Sequence, residues 1–137
     1  MPKIMIVDDN PDTCETLRRL LGRAGWEVLC VGEGKGAAER LRELQAEVVL
    51  LDVMMPEVDG FGVLAQIRSD PETARTTVVM YSALADEETK ARAKEAGANG
   101  YLVKGVPFEL VQERLAAYVS GEGHGANRGN GDGAGRN

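Results

Sequence analysis

Cysteine, histidine and positive charge are the scarce features of this 137-residue chain. It holds two cysteines and one histidine. Cys14 and Cys30 lack metal-site spacing and fall on different expected elements, so they read as packed, reduced thiols of a cytoplasmic protein. Lysine and arginine number 16 against 22 aspartates and glutamates, for a net charge of −6. A nucleic-acid binder would show a basic stripe, and none is present. No apolar run approaches the roughly 18 residues that span a membrane. Met1-Pro2-Lys3 leads into an apolar tetrad without the longer apolar core and cleavage site of a signal peptide.

What remains is a short-period alternation of apolar runs and amphipathic stretches. With 43% hydrophobic and 28% charged residues, residues 1–120 suit one globular domain. Ile4-Met5-Ile6-Val7 reads as a buried strand ending at Asp8-Asp9, and Asn10 and Pro11 as the cap and first turn of a helix reaching about Ala24. That helix should face inward with Cys14, Leu17, Leu21 and Ala24. Trp26 to Val31 is a second strand; Ala37, Ala38, Leu41 and Leu44 mark a second helix. Glu47 to Leu51 is a strand that ends at Asp52, after which Pro56 and Asp59-Gly60 force a turn into a third helix. Thr77 to Tyr81 follows as a fourth strand.

The helix from Asp86 to Ala96 has acids first and bases last, matching its dipole, but only Ala91, Ala93 and Ala96 to turn inward. Alanines bury little area, so it should be held weakly. Tyr101-Leu102-Val103 is a fifth strand ending at Lys104. Pro107 opens a last helix with Phe108, Val111, Leu115 and Val119 inward. Residues 121–137 contain seven glycines and only two alanines as apolar residues, and read as a disordered tail in which His124 is incidental. Five strands alternating with five helices imply an α/β fold with a doubly wound parallel sheet.

In such a sheet the strand ends meet at one edge, bringing Asp8, Asp9, Asp52, Ser82 and Lys104 together. Alone, each has a plainer reading: Asp8-Asp9 as helix caps, Lys104 as a solvated charge, Ser82 as a turn residue. Together, three carboxylates would repel and raise one another's pKa unless a hard cation joined them, and an all-oxygen donor set favours Mg²⁺ over zinc. A cation, an ammonium and a hydroxyl beside a carboxylate suit phosphoryl transfer onto that carboxylate.

At this point the chain resembles the receiver domain of two-component response regulators, of the CheY-like stand-alone type, from Lys3 to about Ser120. The motifs are Val7-Asp8-Asp9, Asp52 to Pro56 with Asp59-Gly60, Tyr81-Ser82-Ala83, Gly97-Ala98 and Tyr101-Leu102-Val103-Lys104. The resemblance implies a flavodoxin-like (βα)5 three-layer sandwich with sheet order 2-1-3-4-5. It implies Asp52 as phosphoacceptor, with Lys104 and Ser82 assisting. Mg²⁺ would be held by Asp8, Asp9, Asp52 and the Met54 carbonyl, and Ser82 and Tyr101 would form the switch. It further implies a histidine kinase or histidine phosphotransfer partner, a downstream protein target that reads the face formed by the helix from Asp86, the Tyr101 strand and the last helix, and a signalling protein rather than a turnover enzyme. Met54 and Leu84 flank the acceptor and, being apolar, should leave attacking water poorly placed. Gly105 departs from the family pattern, which has proline after the lysine; a cis bond without proline costs about 2.5–4 kcal/mol, so a trans Lys104–Gly105 bond is expected.

Two other classes compete. One is a receiver-fold interaction module that is never phosphorylated. The other is an aspartate-nucleophile phosphatase, which lacks a general acid because Met54 stands two residues after Asp52, and lacks a cap segment. A nucleotide-binding Rossmann domain fails because Asp8-Asp9 replaces the glycine-rich loop.

Overall fold

A computed structural model of the chain describes residues 1–120. The expected disordered tail and His124 lie outside the described residues. The elements are β1 (Lys3–Val7), α1 (Pro11–Arg23), β2 (Glu27–Val31), α2 (Ala37–Leu44), β3 (Val48–Leu51), α3 (Gly60–Ser69), β4 (Thr77–Ser82), α4 (Glu87–Glu95), β5 (Gly100–Val103) and α5 (Phe108–Ser120). The strands form one parallel sheet in the order β2-β1-β3-β4-β5, so the doubly wound (βα)5 expectation holds. The sheet and α1–α4 lie in one compact unit, Met1–Lys104, and a second unit begins at Gly105. No described helix is long and apolar enough to cross a membrane.

The strands are uninterrupted apolar runs because both sheet faces are covered. On one face Met5, Val7, Val49, Leu51, Val78 and Met80 pack with Ala37, Leu41, Val63, Leu64 and Ile67 of α2 and α3. Ile4, Ile6 and Leu50 alternate to the other face and are at most 1% exposed. Burying each such side chain contributes about 1.5–3 kcal/mol before entropy is counted. α1 starts as expected: Asn10 Oδ1 accepts from the Asp12 amide, and Pro11 occupies the first turn.

Three inward assignments need correction. Ala24 is exposed, because it is the residue that caps α1 rather than part of its inward stripe. In α4 only Ala93 is buried; Ala91 and Ala96 face solvent, since two turns of helix against a sheet present one small position rather than three. In α5 the buried set is Val111, Leu115 and Tyr118, while Val119 is exposed. A step of three from Leu115 selects Tyr118, whose ring offers more apolar area than valine.

The cysteine expectation is also corrected. Cys14 of α1 and Cys30 of β2 are joined as a disulfide, and among the described residues no cysteine is free. α1 lies over β2 with Cys14 on its buried side, and the Cα atoms are 6.1 Å apart, inside the bonding range.

Candidate functional site

The polar residues at the sheet edge are placed by the last hydrogen bonds of the parallel ladder. Asp8 N–H donates to the Val31 carbonyl (3.1 Å), Asp52 N–H to Val7 (2.9 Å) and Lys104 N–H to Ser82 (2.8 Å). Each sits one residue beyond its strand yet is still held by the neighbouring strand. The β1–β3 register pairs Val7 with Leu51, so Asp8 and Asp52 emerge side by side where the winding reverses.

Gly60 closes this edge from below. Its amide donates to the Val53 carbonyl at 2.8 Å, and a Cβ there would collide with the Asp52 carbonyl oxygen. Only glycine lets α3 begin this close to the acidic strand end. Asp59 caps that helix by accepting from the Gly62 amide at 2.9 Å.

Asp8, Asp9 and Asp52 each offer a carboxylate oxygen, and these atoms lie within 4.8 Å of one another. Asp8 and Asp52 are buried and Asp9 is exposed. Lys104 Nζ lies 2.7 Å from Asp8 Oδ2 and 3.3 Å from Asp52 Oδ2. Burial disfavours the ammonium, but contact with the two carboxylates outweighs it and raises the Lys104 pKa. Burial and the neighbouring Asp8 raise that of Asp52, which Lys104 and the Met54 amide only partly offset.

One ammonium therefore faces three carboxylates. Asp8 Oδ1 accepts from the Asn10 amide at 2.9 Å, whereas buried Asp8 Oδ2 has the ion contact but no hydrogen bond of acceptable geometry. An all-oxygen cluster whose carboxylates outnumber its one ammonium fits a hard divalent cation.

Ser82, the last residue of β4, is 1% exposed, and its Oγ accepts from the Leu84 amide at 3.1 Å. Tyr101 donates its hydroxyl to the Leu84 carbonyl at 2.8 Å, tying β5 to the turn that carries Ser82. Met54, two residues after Asp52, is 63% exposed. With Met55, Pro56, Phe61, Leu84 and Arg92 it borders a cleft of about 530 Å³.

Two contributors carry no strong sequence signal. Tyr81 places its ring 5.8 Å from Lys104 Nζ, walling the ammonium toward the acids. Gly34, between β2 and α2, lies so close under the Val58 carbonyl that a Cβ would overlap it. It thereby seats the β3–α3 loop.

This arrangement is that of a known family. The model of the response regulator receiver domain matches residues 4–116. The chain belongs to that family. Receiver domains are two-component signalling modules rather than turnover enzymes, and the family binds Mg²⁺ at an acidic cluster of this kind and interacts with histidine kinases and downstream targets.

Among curated relatives, the DNA-binding dual master transcriptional regulator RpaA of Synechocystis is 39% identical over 85% of this chain. The chain spans only 47% of that protein. PilH of Pseudomonas aeruginosa is 32% identical over 88% of this chain and 100% of its own length. The solved chemotaxis protein CheY4 of Vibrio cholerae superposes with a TM-score of 0.81 at 28% identity, covering 86% of this chain and 98% of that one. The BeF3-activated receiver domain of Klebsiella pneumoniae RstA gives 0.80 at 26% identity, covering 85% and 97%.

Proposed function

We propose that this receiver domain stores a phosphoryl group on Asp52 in a two-component phosphorelay in the cytoplasm. The observation that carries this reading is the joint placement of Asp52 beside a second buried carboxylate and within 3.3 Å of Lys104 Nζ. An Asp52 carboxylate oxygen attacks phosphorus of a phosphohistidine on a kinase or phosphotransfer protein; the P–N bond breaks and an acyl phosphate forms. Lys104 pairs with charge on the equatorial phosphoryl oxygens. Asp8, Asp9, Asp52 and the Met54 carbonyl would hold Mg²⁺, which when bound neutralises phosphoryl charge as the group transfers.

The switch runs through Ser82. Its hydroxyl turns from the Leu84 amide toward the new phosphoryl group, and the turn moves with it. Tyr101 follows because its hydroxyl is bonded to that same turn. Downstream proteins then read the surfaces of α4, β5 and α5, giving the population shift a physical output.

Incubation with acetyl phosphate and Mg²⁺, followed by intact mass, tests the acceptor. One phosphoryl adduct that disappears in Asp52→Ala and when Mg²⁺ is chelated is expected. An adduct that survives Asp52→Ala would move the acceptor elsewhere.

A further inference from the structure

The acidic site leaves one reactive pair unused, the Cys14–Cys30 disulfide. Its two sulfurs have different surroundings. Cys14 is 9% exposed beneath α1. Cys30 is half-buried and lines a cleft of about 480 Å³ at the end of β2, together with Glu33, Lys35 and Arg40. Two cations against one anion make that cleft attractive to a small anion. Cys30 Sγ also lies 3.7 Å from the Cys14 carbonyl oxygen, so a thiol formed there would have an acceptor already in place. The surroundings therefore suit both the joined and the opened pair.

We propose that Cys14 and Cys30 form an exchangeable redox couple, opened and closed at Cys30 by a small anionic thiol entering this cleft. The thiolate of the small molecule attacks Cys30 Sγ; the Cys30–Cys14 bond breaks and Cys14 leaves as a thiolate that takes up a proton. A second small thiol attacks the outer sulfur of the mixed disulfide. This releases the Cys30 thiol and a small-molecule disulfide. Two electrons pass from two thiols to the protein, and the small-molecule disulfide drives the reverse reaction. In a cytoplasmic setting a disulfide of this kind is characteristically transient or redox-sensing. Because α1 begins two residues after Asp9, the couple sets how firmly that wall of the acidic site is held.

The full chain, equilibrated in graded ratios of reduced to oxidised glutathione, acid-quenched and alkylated, tests this by intact mass. A smooth conversion between disulfide and doubly alkylated protein is expected. In Cys14→Ser a mixed disulfide should form readily on Cys30, and in Cys30→Ser the remaining Cys14 should react far more slowly. Lys35→Gln combined with Arg40→Gln should slow exchange with glutathione roughly tenfold and leave exchange with neutral 2-mercaptoethanol unchanged. Amide exchange over residues 11–15 should quicken on reduction. Cysteines alkylated at every ratio, a bond that never opens in the folded chain, or Cys14 reacting as fast as Cys30 would overturn the couple. A charge-neutralised cleft with unchanged glutathione kinetics would overturn its entry route, and unchanged amide exchange its link to α1.

Discussion

The Arg68 guanidinium donates to the carbonyl oxygens of Ala74, Thr76 and Gly97 and to Asn99 Oδ1, at 2.7–3.1 Å. Asn99 Oδ1 also accepts from the Val78 amide, so one side chain binds the end of α3, the entry to β4 and the α4–β5 turn. Arg68→Ala strands several part-buried acceptors and should cost about 3 kcal/mol in chemical denaturation. Arg68→Lys should recover only part of that, because a single ammonium cannot replace a planar fork. Asp52 should behave in the opposite sense. Its carboxyl holds its proton to higher pH in the fold than the ordinary 3.8, through burial and Asp8. Between those two values the folded state binds more protons, so this group's contribution falls as pH rises through the folded pKa. Asp52→Asn in EDTA should therefore be more stable at neutral pH, by about 1 kcal/mol, while its phosphorylation is lost. Thermal melts at several pH values read the slope; a destabilised Asp52→Asn would mean that the Lys104 contact outweighs burial.

At the scale of elements, α4 is the weakly anchored piece of the Met1–Lys104 unit. Ala93 is its one buried side chain, and the Asp86 carboxylate caps it by accepting from the Thr89 amide at 3.0 Å. The far end differs: the α4–β5 turn at Gly97 is clamped by Arg68. Displacement on phosphorylation should therefore be largest at the Asp86 end. Hydrogen exchange of the phosphorylated protein should change over residues 84–90 more than over 94–99, and Ser82→Ala should accept phosphate yet lose that change. Met54 and Leu84, apolar and beside the acceptor, should give an acyl phosphate that persists for minutes or longer, and Met54→Asn should shorten it; decay within seconds in the unmutated protein would contradict this. Element order and strand ends were legible because five apolar runs alternate with amphipathic stretches, and four of them lead into a polar residue of the site, Asp8, Asp52, Ser82 or Lys104. Inward faces were less so. The alanines of α4 carry too little hydrophobic contrast to show which one is covered. Cys14 and Cys30 are 16 residues apart with no telling spacing, and meet only once α1 is laid over β2. Arg68 was illegible for a related reason, since its partners are backbone carbonyls that no side-chain pattern announces.

At the scale of the whole molecule, a net charge of −6 meets a cluster of three carboxylates, two of which share one ammonium. Without a cation the fold must hold buried Asp8 and Asp52 close together and leave Asp8 Oδ2 without a well-aligned donor. A divalent ion that binds the native cluster and has no comparable site in the unfolded chain stabilises the fold by mass action. At a hundredfold excess over its dissociation constant the gain is about 2.7 kcal/mol. For a domain of this size that corresponds to a rise of roughly 10 °C in melting temperature. Mg²⁺ should therefore raise the melting temperature saturably, and KCl at matched ionic strength should not, because general screening does not require a converging donor set. Asp9→Asn should remove most of the Mg²⁺-dependent rise while leaving the metal-free melt nearly unchanged, since Asp9 is exposed. A rise that Asp9→Asn leaves intact, or that KCl reproduces, would show that the acids act as a diffuse charge and not as a chelating site. The metal reading of this sheet edge would then fall even if Asp52 still accepts phosphate.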